Sequence, residues 1–271
     1  MVTINQDGLV PVAPVHPRVM ATFEKVKQFQ LAVDNCTGAL ADRKALFSQL
    51  EGWLHDLKAL TLLAFEYREQ HDFLNKVDNP FDESDTCPPG ATPEQEFQYE
   101  NNLVLTAMRV KMEMFHIYTS TLLDRVTRIF GEYFVGSKAI NAKSHEAFWK
   151  QVKNRPDITY LPSALRTEAN WLQNNVDWYR NRVIVHPEGF EKEGFHVKGL
   201  KSKAKENIRM FIRARVVDAD GNVTEEDRAS ETLEVIIDHL CRYIEGVIDI
   251  LDANHADSIL EDQARPRPER I

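Results

Sequence analysis

The sequence predicts an all-α bundle with two long helices and a small β-hairpin inserted before the last helix. Three observations carry that reading. Apolar residues recur at helical spacing in two long segments and several shorter ones. One segment only, FIRARVVDADGNV, alternates as strands do and holds a turn-forming Asp-Gly pair. Strands and helices do not alternate along the chain, which argues against parallel-sheet architectures.

Residues 1–17 contain Pro11, Pro14 and Pro17 with little apolar periodicity and read as an extended arm. A helix follows over 18–35, with Val19, Phe23, Val26 and either Phe29 or Leu31 on one side, and Asn35 to Gly38 stop it. Residues 41–76 place Leu46, Leu50, Trp53, Leu57, Leu60 and Ala64 at alternating spacings of four and three, the mark of a helix with one buried stripe. From Asp78 to Glu100 there are seven acids and no Lys or Arg, and five residues of this stretch are Pro or Gly. Residues 78–93 therefore read as an acidic, solvated loop.

A second long helix is expected from about Glu94 to Val135, its middle marked by Val110, Met114, Ile117 and Thr121, and a shorter one over 144–153. Pro162 introduces a strongly patterned helix that ends at Pro187 and Gly189. Residues 195–223 form the basic insertion with its hairpin. Residues 229–257 return to a helix whose buried side is Leu233, Ile236 or Ile237, Leu240, Ile244, Val247 and Leu251. The tail, 258–271, reads as unfolded. One core over 18–257 is more economical than two domains, and no internal repeat is visible.

Of 271 residues, 43% are hydrophobic and 28% charged, enough apolar material for a real core and unlike disordered or fibrous chains. No apolar run approaches the roughly 20 residues that span a bilayer, and the opening residues lack a basic and apolar leader, so a soluble cytoplasmic protein is expected. Cys36, Cys87 and Cys241 are too scattered for a disulfide framework or a zinc cluster and read as reduced. A net charge of −9 argues against indiscriminate nucleic-acid binding but allows a local basic site.

Motif chemistry excludes more. There is no Walker A loop, G-x-G-x-x-G, H-E-x-x-H or G-x-S-x-G. Asp218, Asp220 and Asn222 begin like a calcium loop, but Val223 and Ala229 stand where Gly and Glu are needed. His55, His71, His116, His145 and His239 are dispersed, and no metal site or cofactor is expected. Met108, Met112 and Met114 with Phe115 read as core and seam residues.

The most informative stretch is Trp178-Tyr179-Arg180-Asn181-Arg182-Val183-Ile184-Val185-His186-Pro187-Glu188, which closes the patterned helix. Leu165, Ala169, Leu172, Val176, Tyr179, Val183 and His186 continue its apolar seam. Arg182 and His186 form an i,i+4 pair, whereas Arg180 lies about 120° around a straight helix from His186. A distorted last turn, the length of the side chain or a second copy of the helix could bring Arg180 to the histidine. A structural account also stands: a His and arginines near a helix C-terminus are favoured by the macrodipole and satisfy terminal carbonyls.

Arg180-Asn181, four further residues and His186 resemble the signature of HEPN domains: Arg, four to six residues, then His, with a polar residue after the Arg. The helical bundle is similar too, and the upstream LLDRVTRIFGEYF resembles the second core helix of bacterial members. The likeness covers roughly residues 40–255 in architecture and seven residues in motif. It implies metal-independent endoribonuclease activity or RNA binding by a homodimer, in toxin or phage-defence systems, with an antitoxin or defence protein as partner. In such a site His186 would move the proton of the 2′-hydroxyl or of the leaving 5′ oxygen, a role suited to an unperturbed pKa near 6.5. Arg180 would hold the phosphate by paired N–H donors, and Asn181 would position substrate or His186.

Arg182 is the alternative phosphate ligand. Phe195–Val216 carries Lys198, Lys201, Lys203, Lys205, Arg209, Arg213 and Arg215 against one acid, Glu206, and could track an RNA backbone or be a solvated loop. The competing reading of the whole chain is a non-catalytic helical module for dimerisation or protein interaction.

Overall fold

The computed structural model describes residues 16–34, 43–76, 90, 92, 103–132, 134, 139–156, 158–181, 195–198, 209–217, 223–229 and 232–253. For the three strands and for residues 43, 73–76 and 103–106 it describes the backbone alone. The described part is mostly helical. Helix α1 spans Pro17–Asp34, α2 Arg43–Lys76, α3 Leu103–Glu132, α4 His145–Lys153, α5 Ser163–Leu172 and α6 Leu233–Ala253. None is long and apolar enough to cross a membrane.

The backbone also pairs three strands, β1 Phe195–Lys198, β2 Arg209–Val217 and β3 Val223–Ala229, as an antiparallel sheet in the order β1-β2-β3. Phe195 faces Ile212 across the first pair, and Val217 faces Val223 next to the 218–222 connection. The expected extended arm before residue 16, the 78–93 loop apart from Gly90 and Thr92, the tail after 253, Cys36 and Cys87 lie outside the described residues.

Helices α2 and α3 pack side by side and antiparallel. Arg125 reaches Asp56 at 2.5 Å at one end of the pair, and Lys111 reaches Glu66 at 2.9 Å further along. Helix α6 lies between α1 and α5. It runs with α1, fixed by Arg18 and Thr22 on Glu245 and by Lys25 on Asp249, and against α5, where Gly246 lets the Leu165 side chain approach. Such part-exposed ion pairs contribute little each, about 0–1 kcal/mol, so they set register more than stability.

Stability resides in the apolar stripes. Every residue of the α2 stripe, from Leu46 to Ala64, is buried, and α6 buries Ile236 and Ile237 together. In α1 the choice between Phe29 and Leu31 falls to Phe29, while Leu31 remains 62% exposed.

Helix α3 departs from the expected pattern. Val110, Met114 and Ile117 are 47%, 39% and 39% exposed, whereas the core is lined by Met108, Met112, Phe115, Leu122, Val126 and Ile129. The helix carries apolar residues on two faces, and only the second meets α2 and the rest of the bundle. Its end is shaped by Gly131, where a Cβ would collide with the Asn141 side-chain oxygen and come within 3.0 Å of the Ile140 carbonyl oxygen. That approach is closed by Ile140 N–H donating to the Phe130 carbonyl at 3.0 Å.

Candidate functional site

The motif helix begins regularly and then widens. Ser163–Leu172 is α-helical and buries Leu165, Ala169 and Leu172. Gln173–Asp177 then forms a π-helical turn, and after one short α-helical step Arg180 and Asn181 are π-wound again. The wide turn keeps Val176 and Tyr179 in the seam and adds Asp177 to the interior. Turns of this kind occur mostly as single bulges and are frequent at functional sites.

Asp177 is the centre of a buried polar cluster. His145 Nδ1 bonds its Oδ2 at 2.8 Å, and Ser120 Oγ donates to its Oδ1 at 3.1 Å. Ser144 caps α4, its hydroxyl accepting from Ala147 N–H. The next residue's backbone N–H, that of His145, donates to Asp124 Oδ1 at 2.7 Å. The Tyr243 ring stands edge-on to the His145 ring at 5.2 Å, and Tyr243 accepts a hydrogen bond from Trp149 Nε1.

Serine, histidine and aspartate thus converge, but not as a nucleophilic triad, in which the hydroxyl must meet the histidine. Here the hydroxyl bonds the carboxylate. His145 is fully buried, and its Nε2 has no partner among the described residues. The cluster joins α3, α4 and the π turn; it cannot meet a substrate.

Above it lie the two described members of the sequence motif. Arg180 and Asn181 are both half-buried, and Asn181 Nδ2 donates to Glu146 Oε2 at 3.4 Å. Burial pushes the Asp124 carboxyl above the usual carboxylate range, against the His145 N–H bond; the Asp177 charge also raises it, while the Arg180 charge pulls it down. Arg180 is thereby placed within electrostatic reach of Asp124.

Beside this point His116 is buried, stacked on Tyr179 with ring centres 4.2 Å apart, and bonded through Nδ1 to the Met112 carbonyl at 2.8 Å. Desolvation lowers its pKa to about 4, so the ring is neutral at physiological pH. Burial also raises the Tyr179 hydroxyl, which has no partner among the described residues.

His186, Arg182, Lys201, Lys203 and Lys205 lie outside the described residues, and Lys198 belongs to β1, whose backbone alone is described. The structure brings Arg180 and Asn181 to the α3–α4 corner. Sequence spacing missed Ser120, Asp124, His145 and Asp177. The one available signal was the i,i+4 pair Ser120 and Asp124; Asp177 stands beside the seam residue Val176, and the π turn brings it inside. No group of three or more His, Cys, Asp or Glu side chains could hold a metal ion among the described residues.

Comparison with protein-family models, curated proteins and solved structures finds no match to this chain.

Proposed function

We propose that the chain is a cytoplasmic HEPN-like RNA-binding protein that cleaves RNA without a metal ion, working as a homodimer in a toxin or phage-defence system with an antitoxin or defence protein as its partner. One observation carries the reading: a partly exposed Arg-Asn pair stands on the last described, π-wound residues of the motif helix, next to a buried polar cluster. Arg180 is the phosphate ligand, Asn181 the positioning residue and His186 the proton-transfer group. Arg182, Lys198, Lys201, Lys203 and Lys205 extend the contact to the RNA backbone. A histidine suffices for both proton transfers near neutral pH, and an arginine fork offsets the charge of the phosphorane-like transition state.

The test is cleavage of labelled mixed RNA in EDTA by wild type, Arg180→Ala and His186→Ala, with circular dichroism to confirm folding. Cleavage by wild type that both folded variants lose supports the reading. Cleavage that survives in His186→Ala, or none by wild type, sinks it.

A second reading, a non-catalytic dimerisation module, draws on the exposed Val110, Met114 and Ile117 face of α3. Apolar side chains one turn apart on a surface helix suit a second copy of that helix. A dimer in light scattering that Met114→Glu dissociates, with no RNA cleavage, favours this reading.

A further inference from the structure

A groove of about 500 Å³ opens where the C-terminal end of α3 meets the segment leading into α4, lined by Arg128, Gly131, Glu132, Asn141, Ala142 and Lys143. A second groove, of about 290 Å³, continues it toward α2 and shares Arg128 and Glu132. Asp56 takes Arg125 at 2.5 Å, and Glu132, which accepts from the neutral Gln49 amide and keeps its charge, is the one acid lining the grooves among the described residues. Arg128 and Lys143 are exposed, and neither has an ion-pair or hydrogen-bond partner among the described residues. In a chain of net charge −9 this is a local surplus of positive charge in a concave surface.

The surplus connects to the motif. Asp124, which senses Arg180, lies one turn before Arg128 on α3 and accepts the backbone N–H of His145, two residues after Lys143. Arg180, within electrostatic reach of Asp124, and the groove cations Arg128 and Lys143 are thus spaced along the C-terminal half of α3. A compact anion is held best by donors that converge on it, whereas a row suits the successive phosphates of a strand. The open groove admits a strand from the side, and it offers no exposed aromatic ring for base readout.

We propose that single-stranded RNA held at Arg180 continues along the C-terminal half of α3, its phosphodiester backbone lying in the groove against Arg128 and Lys143. This rests on the RNA reading above. Arg128 and Lys143 act on affinity and leave the chemical step to Arg180 and His186, and because they touch phosphates they are indifferent to base sequence.

The experiment measures anisotropy of a fluorescein-labelled single-stranded 2′-O-methyl RNA, which lacks the attacking hydroxyl, over a salt series. It compares full-length wild type, Arg128→Ala/Lys143→Ala and a charge-matched control, Lys27→Ala/Arg68→Ala, with thermal melts to confirm folding. Cleavage of unmodified RNA is followed in parallel. Each phosphate contact to a single strand contributes about 0.7 to the salt slope, so losing two should lower it by about 1.4 and weaken binding about tenfold.

An unchanged affinity and slope in the groove variant, or an equal loss in the control, overturns the groove and leaves the RNA reading standing. Absence of RNA binding by wild type overturns both.

Discussion

His116 should make the protein acid-sensitive by a calculable amount. Its ring is buried against Tyr179, and that desolvation favours the neutral form over the opposing pull of the Met112 carbonyl at Nδ1, which favours charge. The folded pKa, about 4, lies below the 6.5 of the unfolded side chain. Between those values the unfolded state binds more protons, so stability is fully present above 6.5 and is lost as pH falls toward 4. At pH 4.5 this linkage costs roughly 2–3 kcal/mol, and at pH 7 almost nothing.

Urea unfolding followed by tryptophan fluorescence gives both values. His116→Phe keeps a ring beside Tyr179 and removes the titration. Any packing cost of the larger ring is independent of pH and cancels when the two conditions are compared. The stability lost between pH 7 and 4.5 should be smaller in the variant by about 2 kcal/mol. An equal loss in both proteins would refute the buried neutral histidine.

Removing the Asp177 carboxylate leaves His145 Nδ1 and the Ser120 hydroxyl without their acceptor inside the bundle. Asp177→Ala should therefore cost about 3–5 kcal/mol in urea unfolding, and a loss below about 1 kcal/mol would mean the cluster is not the buried network described. The glycines give a paired test by the same method. At Gly246 an added Cβ meets only the tip of Leu165, at 2.9 Å, and helix propensity offsets the contact, so Gly246→Ala should stay within about 1 kcal/mol of wild type. Gly131→Ala faces the Ile140 backbone and should cost about 2 kcal/mol; equal effects at the two sites would contradict the close approach at Gly131. Burial pushes the Cys241 thiol up to about 11, so in a Cys36→Ser/Cys87→Ser background a thiol-exchange reagent at pH 8 should react only after unfolding. A fast native-state reaction would place that sulfur nearer solvent.

How far the sequence could be read depended on what each helix faces. The α2 stripe was legible because one face is apolar and the other charged, so spacing alone names the buried residues. In α3 the run of Met, Val, Phe and Ile covers two faces, and periodicity locates both without saying which one meets α2. The stripe through Val110 and Met114 is regular yet faces outward. At the candidate site, Arg180 and Asn181 could be named from sequence because the motif is local. The buried cluster could not, because Ser120 and His145 reach Asp177 across 57 and 32 residues of sequence, and only the folded chain joins them. The π turn is equally silent in the residue pattern, since the seam through Leu172, Val176 and Tyr179 keeps helical spacing across it.

Asp124 sets the electrostatics of this corner and gives the sharpest contrast between support and binding. Its Oδ1 accepts the His145 backbone N–H, and its carboxylate interacts electrostatically with Arg180. If phosphate is the ligand, a neighbouring carboxylate competes for Arg180 and repels the strand, so lowering its charge helps binding. Asp124→Asn retains an oxygen for the His145 N–H and removes only the charge. RNA affinity, measured by the same anisotropy at fixed salt, should tighten severalfold with the fold intact. Weaker binding in a variant of unchanged stability would instead make Asp124 the residue that aims Arg180, and phosphate would then have to be recognised through the pair.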